Sequence, residues 1–276
     1  MSLEEVTFEG HGGVRLEWGS SAVVVTTSVG PRVLGLLDDG SNVMAVLPDA
    51  VLERPDGAPY RFYGGHRLWA APEEPAVTYA PDDRPCAVTE LGGGVRVEAP
   101  PDGAGLVKAL EVRRHGDGWL VGHELRNEGD RPLHVAPWAI TQLRPGGRAT
   151  LPLGPRGAGP QADRALVLWP YTDLDDPRLA FAAGEVEVGA APGSSGPVKV
   201  GAAPGEGRVS YRLGDLVFEK RVEFEAGGDR PDRGAAVQVF AREQFCELET
   251  LGPLHDLAPG ASATHREAWT LRREAP

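Results

Sequence analysis

Cysteine is nearly absent. Cys86 and Cys246 are the only two in 276 residues, which excludes a disulfide scaffold and a cysteine-rich zinc site. Cys246 falls at an inward strand position and reads as a small buried hydrophobe. Lysine is almost as scarce. Lys108, Lys199 and Lys220 are the only three among 28 basic residues. Acidic residues number 40 and the formal charge is -12, with no basic run and no basic–aromatic stripe. Nucleic acid and anionic membrane surfaces are disfavoured as partners on that ground. No apolar run approaches the roughly 20 residues of a membrane helix. Met1 to Val6 lack a positive n-region and an apolar h-region, and the expectation is a soluble, cytoplasmic protein. No Walker loop, no G-x-G-x-x-G opening a helix and no G-x-S-x-G elbow occurs. Nor is there an H-x-H, H-E-x-x-H or Cys/His spacing, so neither a metal nor a cofactor is expected.

What the chain does have is glycine (37), proline (25) and a 41% hydrophobic content. The first two make long helices improbable; the last suffices for a sizeable core. Apolar–polar alternation recurs in Val14–Trp18, Val95–Glu98, Leu106–Val112 and Arg208–Leu213, and period two means half-buried strands. Turn signals such as Asp38-Asp39-Gly40, Asp56-Gly57 and Gly92-Gly93-Gly94 separate them at spacings near ten residues. The pattern predicts an all-β, antiparallel sandwich with very little helix, built as one domain over residues 1–276. Leu153–Pro160 and Gly189–Gly196 read as loops within it.

Five segments could carry chemistry. In Phe245–Leu254, alternation puts Phe245, Glu247, Glu249 and Leu251 on one strand face, with the two carboxylates roughly 7 Å apart. Such a pair suits acid–base work, metal binding or an ordinary solvated face. Gly64-Gly65-His66-Arg67-Leu68-Trp69 joins a proton donor, a hydrogen-bonding fork and a flat ring. The plainer reading pairs Arg67 with Glu73 or Glu74 and puts Trp69 in the core. His134–Leu143 sets Trp138 and Gln142 on one face, as a stacking platform or as core. Leu168–Asp173, with Tyr171, reads as a loop that closes over a ligand or as a packed turn. Lys220 shares an apolar face with Leu216, Phe218, Val222 and Phe224; a lysine there must be paired or face a site. Glu219, Arg221 and Glu223 form the opposite, solvated face. His123 and His265 are strand residues with no metal-ligand pattern around them.

The ordered segments resemble the galactose mutarotase-like (aldose 1-epimerase-like) superfamily. Four matches carry the resemblance: Ser21–Leu36 with Gly40-Ser41-Asn42, Gly64–Trp69, Pro132–Leu143 and Leu248-Glu249-Thr250. Within it the chain is most similar to a branch defined as a domain of unknown function, through Gly65–Glu73, Pro231–Gly234, Leu248–Leu254 and His265–Trp269. The resemblance implies a β-supersandwich with the site on a concave sheet face, Glu249 as general base and Arg67 as a sugar contact. It also exposes a departure, because Trp138 stands where the catalytic histidine is expected. An indole cannot release its proton near neutral pH.

The resulting expectation is a protein that binds a small carbohydrate and interconverts its anomers. Glu249 is the base and His66 the replacement acid. Arg67, Trp69, Trp138, Tyr171, Lys220 and Glu247 line the site. Arg67 and Lys220 in one cleft point to an acidic or phosphorylated sugar. A sugar-binding module that has lost its chemistry is the alternative, followed by lyase or hydrolase chemistry using Glu247 and Glu249.

Overall fold

The computed structural model describes residues 3–154, 156–194, 196–203, 205–222 and 228–274. Glu223 and Phe224, assigned above to opposite faces of one strand, lie outside these residues, as do Pro155 and Ser195 of the two loops. The described residues form 24 strands, one turn of α-helix at Pro75–Thr78 and a 3-10 turn at Asp232–Gly234. No helix among them is long and apolar enough to cross a membrane.

Two large antiparallel sheets result. In the first, Arg32–Asp38, His66–Ala71, Leu133–Leu143, Phe245–Leu251, Val237–Arg242 and Val198–Ala203 lie side by side in that order. In the second, Leu216–Val222, Ser262–Arg273 and Gly118–Asn127 are central neighbours. The expected alternation is visible in His11–Trp18, where Val14 and Leu16 are buried while Arg15 and Glu17 reach toward solvent. Side chains from both sheets, including Leu68, Leu110, Val121, Val200, Val239, Cys246 and Leu248, make one continuous core. Each fully buried Val or Leu contributes about 1.5–3 kcal/mol.

The first sheet departs from simple half-burial. Every position of Arg32–Asp38, His66–Ala71 and Phe245–Leu251 is buried. Its outer face is therefore covered as well. A separate hairpin, Val46–Glu53 with Pro59–Gly64, supplies part of the cover. Tyr60, Trp69, Ala71, Ala136, Trp138, Ile140 and Leu251 make a second apolar cluster there. Glu247 and Glu249 thus do not sit on a solvated face.

Gly64 and Gly65 join this hairpin to the sheet. Their φ values are 95° and 67°. A Cβ would meet the Ala45 carbonyl oxygen at 2.1 Å from Gly64 and the Val33 oxygen at 2.3 Å from Gly65. Both positions require glycine because backbone packs on backbone. The double glycine sets the bend that starts the His66–Ala71 strand; it does not admit a ligand.

Candidate functional site

Alternation on four adjacent strands builds the site on the outer face of the first sheet. His66–Ala71 presents Arg67 and Trp69. Leu133–Leu143 presents Trp138, Ile140 and Gln142, with Ile140 directly opposite Arg67 and Trp138 opposite Trp69. Phe245–Leu251 presents Glu247, opposite Gln142, and Glu249, opposite Ile140. On its other side Gln238 faces Glu249 and Phe240 faces Glu247. Lys199 is the register partner of Phe240 on the next strand.

Two ion pairs cross these strands. An Arg67 guanidinium nitrogen lies 3.0 Å from Glu247 Oε1, and Lys199 Nζ lies 2.8 Å from Glu249 Oε2. The Trp138 indole donates to the same Glu249 oxygen at 2.8 Å. Arg67 also lies over the Trp69 ring, 3.9 Å from its centroid. Trp69 is fixed in turn by a 2.8 Å hydrogen bond from its indole to the Tyr60 hydroxyl. The Lys199 ammonium sits 4.9 Å from the Trp138 ring and 4.5 Å from the Trp169 ring, which suits a partly desolvated cation.

Several buried polar atoms of this face have no hydrogen-bond partner among the described residues: Glu249 Oε1, both amide atoms of Gln142, Gln238 Oε1, and Arg67 Nε and Nη1. Buried polar groups are ordinarily satisfied. Donors and acceptors left over together on one face are what a hydroxyl-bearing ligand would complete. Burial pushes the Glu249 carboxyl above its usual range, with Glu247 adding to the rise and Lys199 and Trp138 opposing it. A carboxylate tuned upward is better matched to taking a proton near neutral pH.

Trp169 to Thr172 forms one rim. Thr172 Oγ1 donates to the Lys199 carbonyl at 2.7 Å and accepts from the Lys199 amide at 2.9 Å. Tyr171 packs edge-on against Phe240, 6.3 Å between centroids. Burial, then the negative charges of Glu249, Glu73, Glu247 and Asp232, raises the Tyr171 phenol.

Arg67, Trp69, Trp138, Glu247 and Glu249 come together, with Tyr171 at the edge. His66 and Lys220 do not join them. His66 is one residue out of phase with Arg67 and points between the sheets. Its Nδ1 meets Thr141 Oγ1 at 2.9 Å and its Nε2 meets His123 Nε2 at 2.7 Å. Lys220 comes from the second sheet and pairs with Glu267 at 2.7 Å. Its ammonium also donates to the Leu248 carbonyl at 3.1 Å and the Ala139 carbonyl at 3.4 Å. The expected role of His66 as acid beside Glu249, and of Lys220 as a sugar contact, thus meets a sheet standing in the way. Arg67 takes Glu247 as its partner, in place of Glu73 or Glu74.

Lys199, Gln142, Gln238 and Trp169 complete the site without having been selected as site residues. Lys199 had a signal in the sequence: it is one of only three lysines and stands between Val198 and Val200; all three lysines prove to be buried.

Between the sheets, His66, His123 and Glu267 bring ligand-type atoms within 4.8 Å of one another. Hydrogen bonding already accounts for them. Glu267 accepts from Lys220, from Thr250 and, at 2.8 Å, from the Trp269 indole. A lysine ammonium against the carboxylate also opposes a divalent cation there. A cavity of about 780 Å³ is lined by Arg208, Arg221, Arg266 and His265 among others, and Glu249 is not part of its lining. Arg208 and Arg221 are already held by Glu219.

No protein-family model and no curated protein matches the chain. Solved structures do. A galactose mutarotase-like protein from Lactobacillus casei ATCC 334 superposes with a TM-score of 0.58 at 12% identity, over 95% of this chain and 100% of that one. A candidate aldose 1-epimerase from Escherichia coli K12 gives 0.54 at 13%, over 94% and 98%. A galactose mutarotase-like protein from Clostridium acetobutylicum gives 0.54 at 10%, over 99% of both. The two facing antiparallel sheets thus have the galactose mutarotase-like fold.

Proposed function

We propose that this protein binds a small carbohydrate on the outer face of its first sheet and interconverts the sugar's anomers with Glu249 as general base. One observation carries the proposal. Glu249 Oε2 is anchored by Lys199 and Trp138 while Oε1, equally buried, has no partner among the described residues. A carboxylate with one oxygen held and one free is oriented to take a proton. Arg67, Gln142 and Gln238 surround it with unused donors and acceptors, and Trp169 and Tyr171 offer ring surface at the rim. The likeness to galactose mutarotase-like structures supports the same reading through the fold.

Both cations of the face already carry carboxylates. That balance favours a neutral sugar over the acidic or phosphorylated one expected from the sequence. Glu247 is committed to Arg67, which weakens a two-carboxylate lyase or hydrolase. The cytoplasmic setting belongs to this proposal and draws support from two free thiols, Cys86 and Cys246.

Anomer exchange followed by NMR over a panel of aldoses and uronates tests the proposal. Wild type accelerates exchange above buffer, and Glu249→Gln lowers the rate roughly 10²–10⁴-fold. An unchanged rate in Glu249→Gln would overturn it. Among the described residues no imidazole hydrogen-bonds to Glu249, whose donors are Trp138 and Lys199, and this favours a second reading, sugar binding without turnover. Sugar-dependent thermal stabilisation that survives Glu249→Gln, with no exchange, would establish that one instead.

A further inference from the structure

We infer that Lys199 is the general acid of the proposed reaction, donating the proton that the imidazole of His66 is placed too far behind the sheet to give. The inference rests on the anomer-exchange reading and adds the missing half of its chemistry.

The Val198–Ala203 strand fixes the geometry. Val198, Val200 and Ala202 are fully buried in the main core, so Lys199 projects to the outer face. Only 6% of its side chain is exposed. Its ammonium has three protons and meets Glu249 Oε2 at 2.8 Å. Trp138 is the other donor to that oxygen, and an indole N–H does not exchange its proton in catalysis near neutral pH. Of the two donors on the base, Lys199 alone can deliver one.

The substrate's own connectivity demands such a neighbour. In a cyclic sugar the anomeric hydroxyl oxygen and the ring oxygen are bonded to the same carbon. Base and acid must therefore act side by side. Glu249 Oε1 removes the anomeric hydroxyl proton, and the oxygen's electron pair forms the carbonyl. The bond from the anomeric carbon to the ring oxygen breaks, its pair stays on that oxygen, and the oxygen takes a proton from the Lys199 ammonium. The products are the open-chain aldehyde, a neutral carboxylic acid and a neutral amine. Rotation about the bond next to the aldehyde and reversal of both transfers yields the other anomer, with nothing consumed.

Charge balance favours this partner in a buried site. Glu249 and Lys199 begin as an ion pair of zero net charge and end as two neutral groups. No uncompensated charge appears in the low-dielectric interior, where one would be costly. Trp138 and Trp169 flank the ammonium on their ring faces and limit its contact with water.

The test uses the full chain with D-glucose and D-galactose as probes, in NMR exchange measurements from pH 5 to 10. Lys199→Met lowers kcat roughly 10²–10⁴-fold and leaves KM within about threefold. Lys199→Arg keeps a positive charge beside Glu249 but holds its protons at every pH used, and it fails to restore the rate. Wild-type kcat in either variant would overturn the assignment while leaving anomer exchange standing. If Lys199→Met does not fold, Lys199→Arg decides alone. No acceleration by wild type overturns both the assignment and the function on which it rests.

Discussion

The two faces of one sheet treat buried polar groups in opposite ways. Behind the sheet, the hydrogen bonds close on themselves. The His123 Nδ1 must donate to the His265 carbonyl, 3.1 Å away, because a carbonyl only accepts. A neutral His123 therefore accepts at Nε2, His66 donates from its Nε2, and Thr141 donates to His66 Nδ1. His265 Nε2 likewise donates to Thr250 Oγ1 at 2.7 Å, which passes its own hydrogen to Glu267. One proton arrangement satisfies each of these contacts. In front of the sheet, Gln142, Gln238, Arg67 and Glu249 keep atoms in reserve. A closed network specifies structure, whereas an open one leaves groups that a ligand would complete.

The sharpest way to break this comparison is to cut the Lys220–Glu267 pair. Removing one partner of a buried pair leaves an uncompensated charge, so Lys220→Met should destabilise by about 3–5 kcal/mol. Gln142→Leu, in front, replaces an amide without partners and should be neutral or slightly stabilising, while sugar affinity falls. Urea unfolding of both variants checks this; equal losses would erase the distinction between the faces.

Acid should act on the two faces with opposite sign. Burial depresses His66, His123 and His265, the last to about 3. The unfolded imidazoles, near 6.5, then bind protons that the folded ones refuse. Their contribution is fully present above about 6.5 and is lost as pH falls below it, by about 1.4 kcal/mol per pH unit for each histidine. Glu249 works the other way, since its raised carboxyl favours the folded state as pH falls, but it is one group against three. Stability in urea should drop clearly between pH 7.5 and 5.5. A flat profile would mean that the inner histidines are charged in the fold.

The narrowest effect expected is at Trp138, confined to one hydrogen bond. Trp138→Phe keeps the ring and removes the hydrogen bond to Glu249, worth about 1.5–3 kcal/mol for a charged acceptor. The base should become harder to ionise, and the acidic limb of the rate profile should move to higher pH. An unmoved limb would show that the indole does not set the base.

Strand alternation is local, and it was legible. It placed Glu247 with Glu249, Trp138 with Gln142, and Cys246 in the core. It could also show that Lys220 needed a partner. What it could not show is which face of a doubly covered sheet meets which element. His66 and Arg67 are adjacent in sequence, so composition groups them, yet the pleat sends them to opposite sides. Glu267, the partner of Lys220, is 47 positions away along the chain. Lys199 went unselected because its tie to Glu249 spans 50 residues. Such ties depend on sheet order, which only the assembled fold supplies.

The double hydrogen bond between Thr172 and the Lys199 backbone extends the sheet's side with a side chain in place of another strand. The aromatic rim is thereby held at both ends, by the pairing of Leu168 with Val200 and by Thr172 on the Lys199 backbone. Tyr171 is the member of that segment that can vary most freely, since Trp169 also covers the Lys199 ammonium.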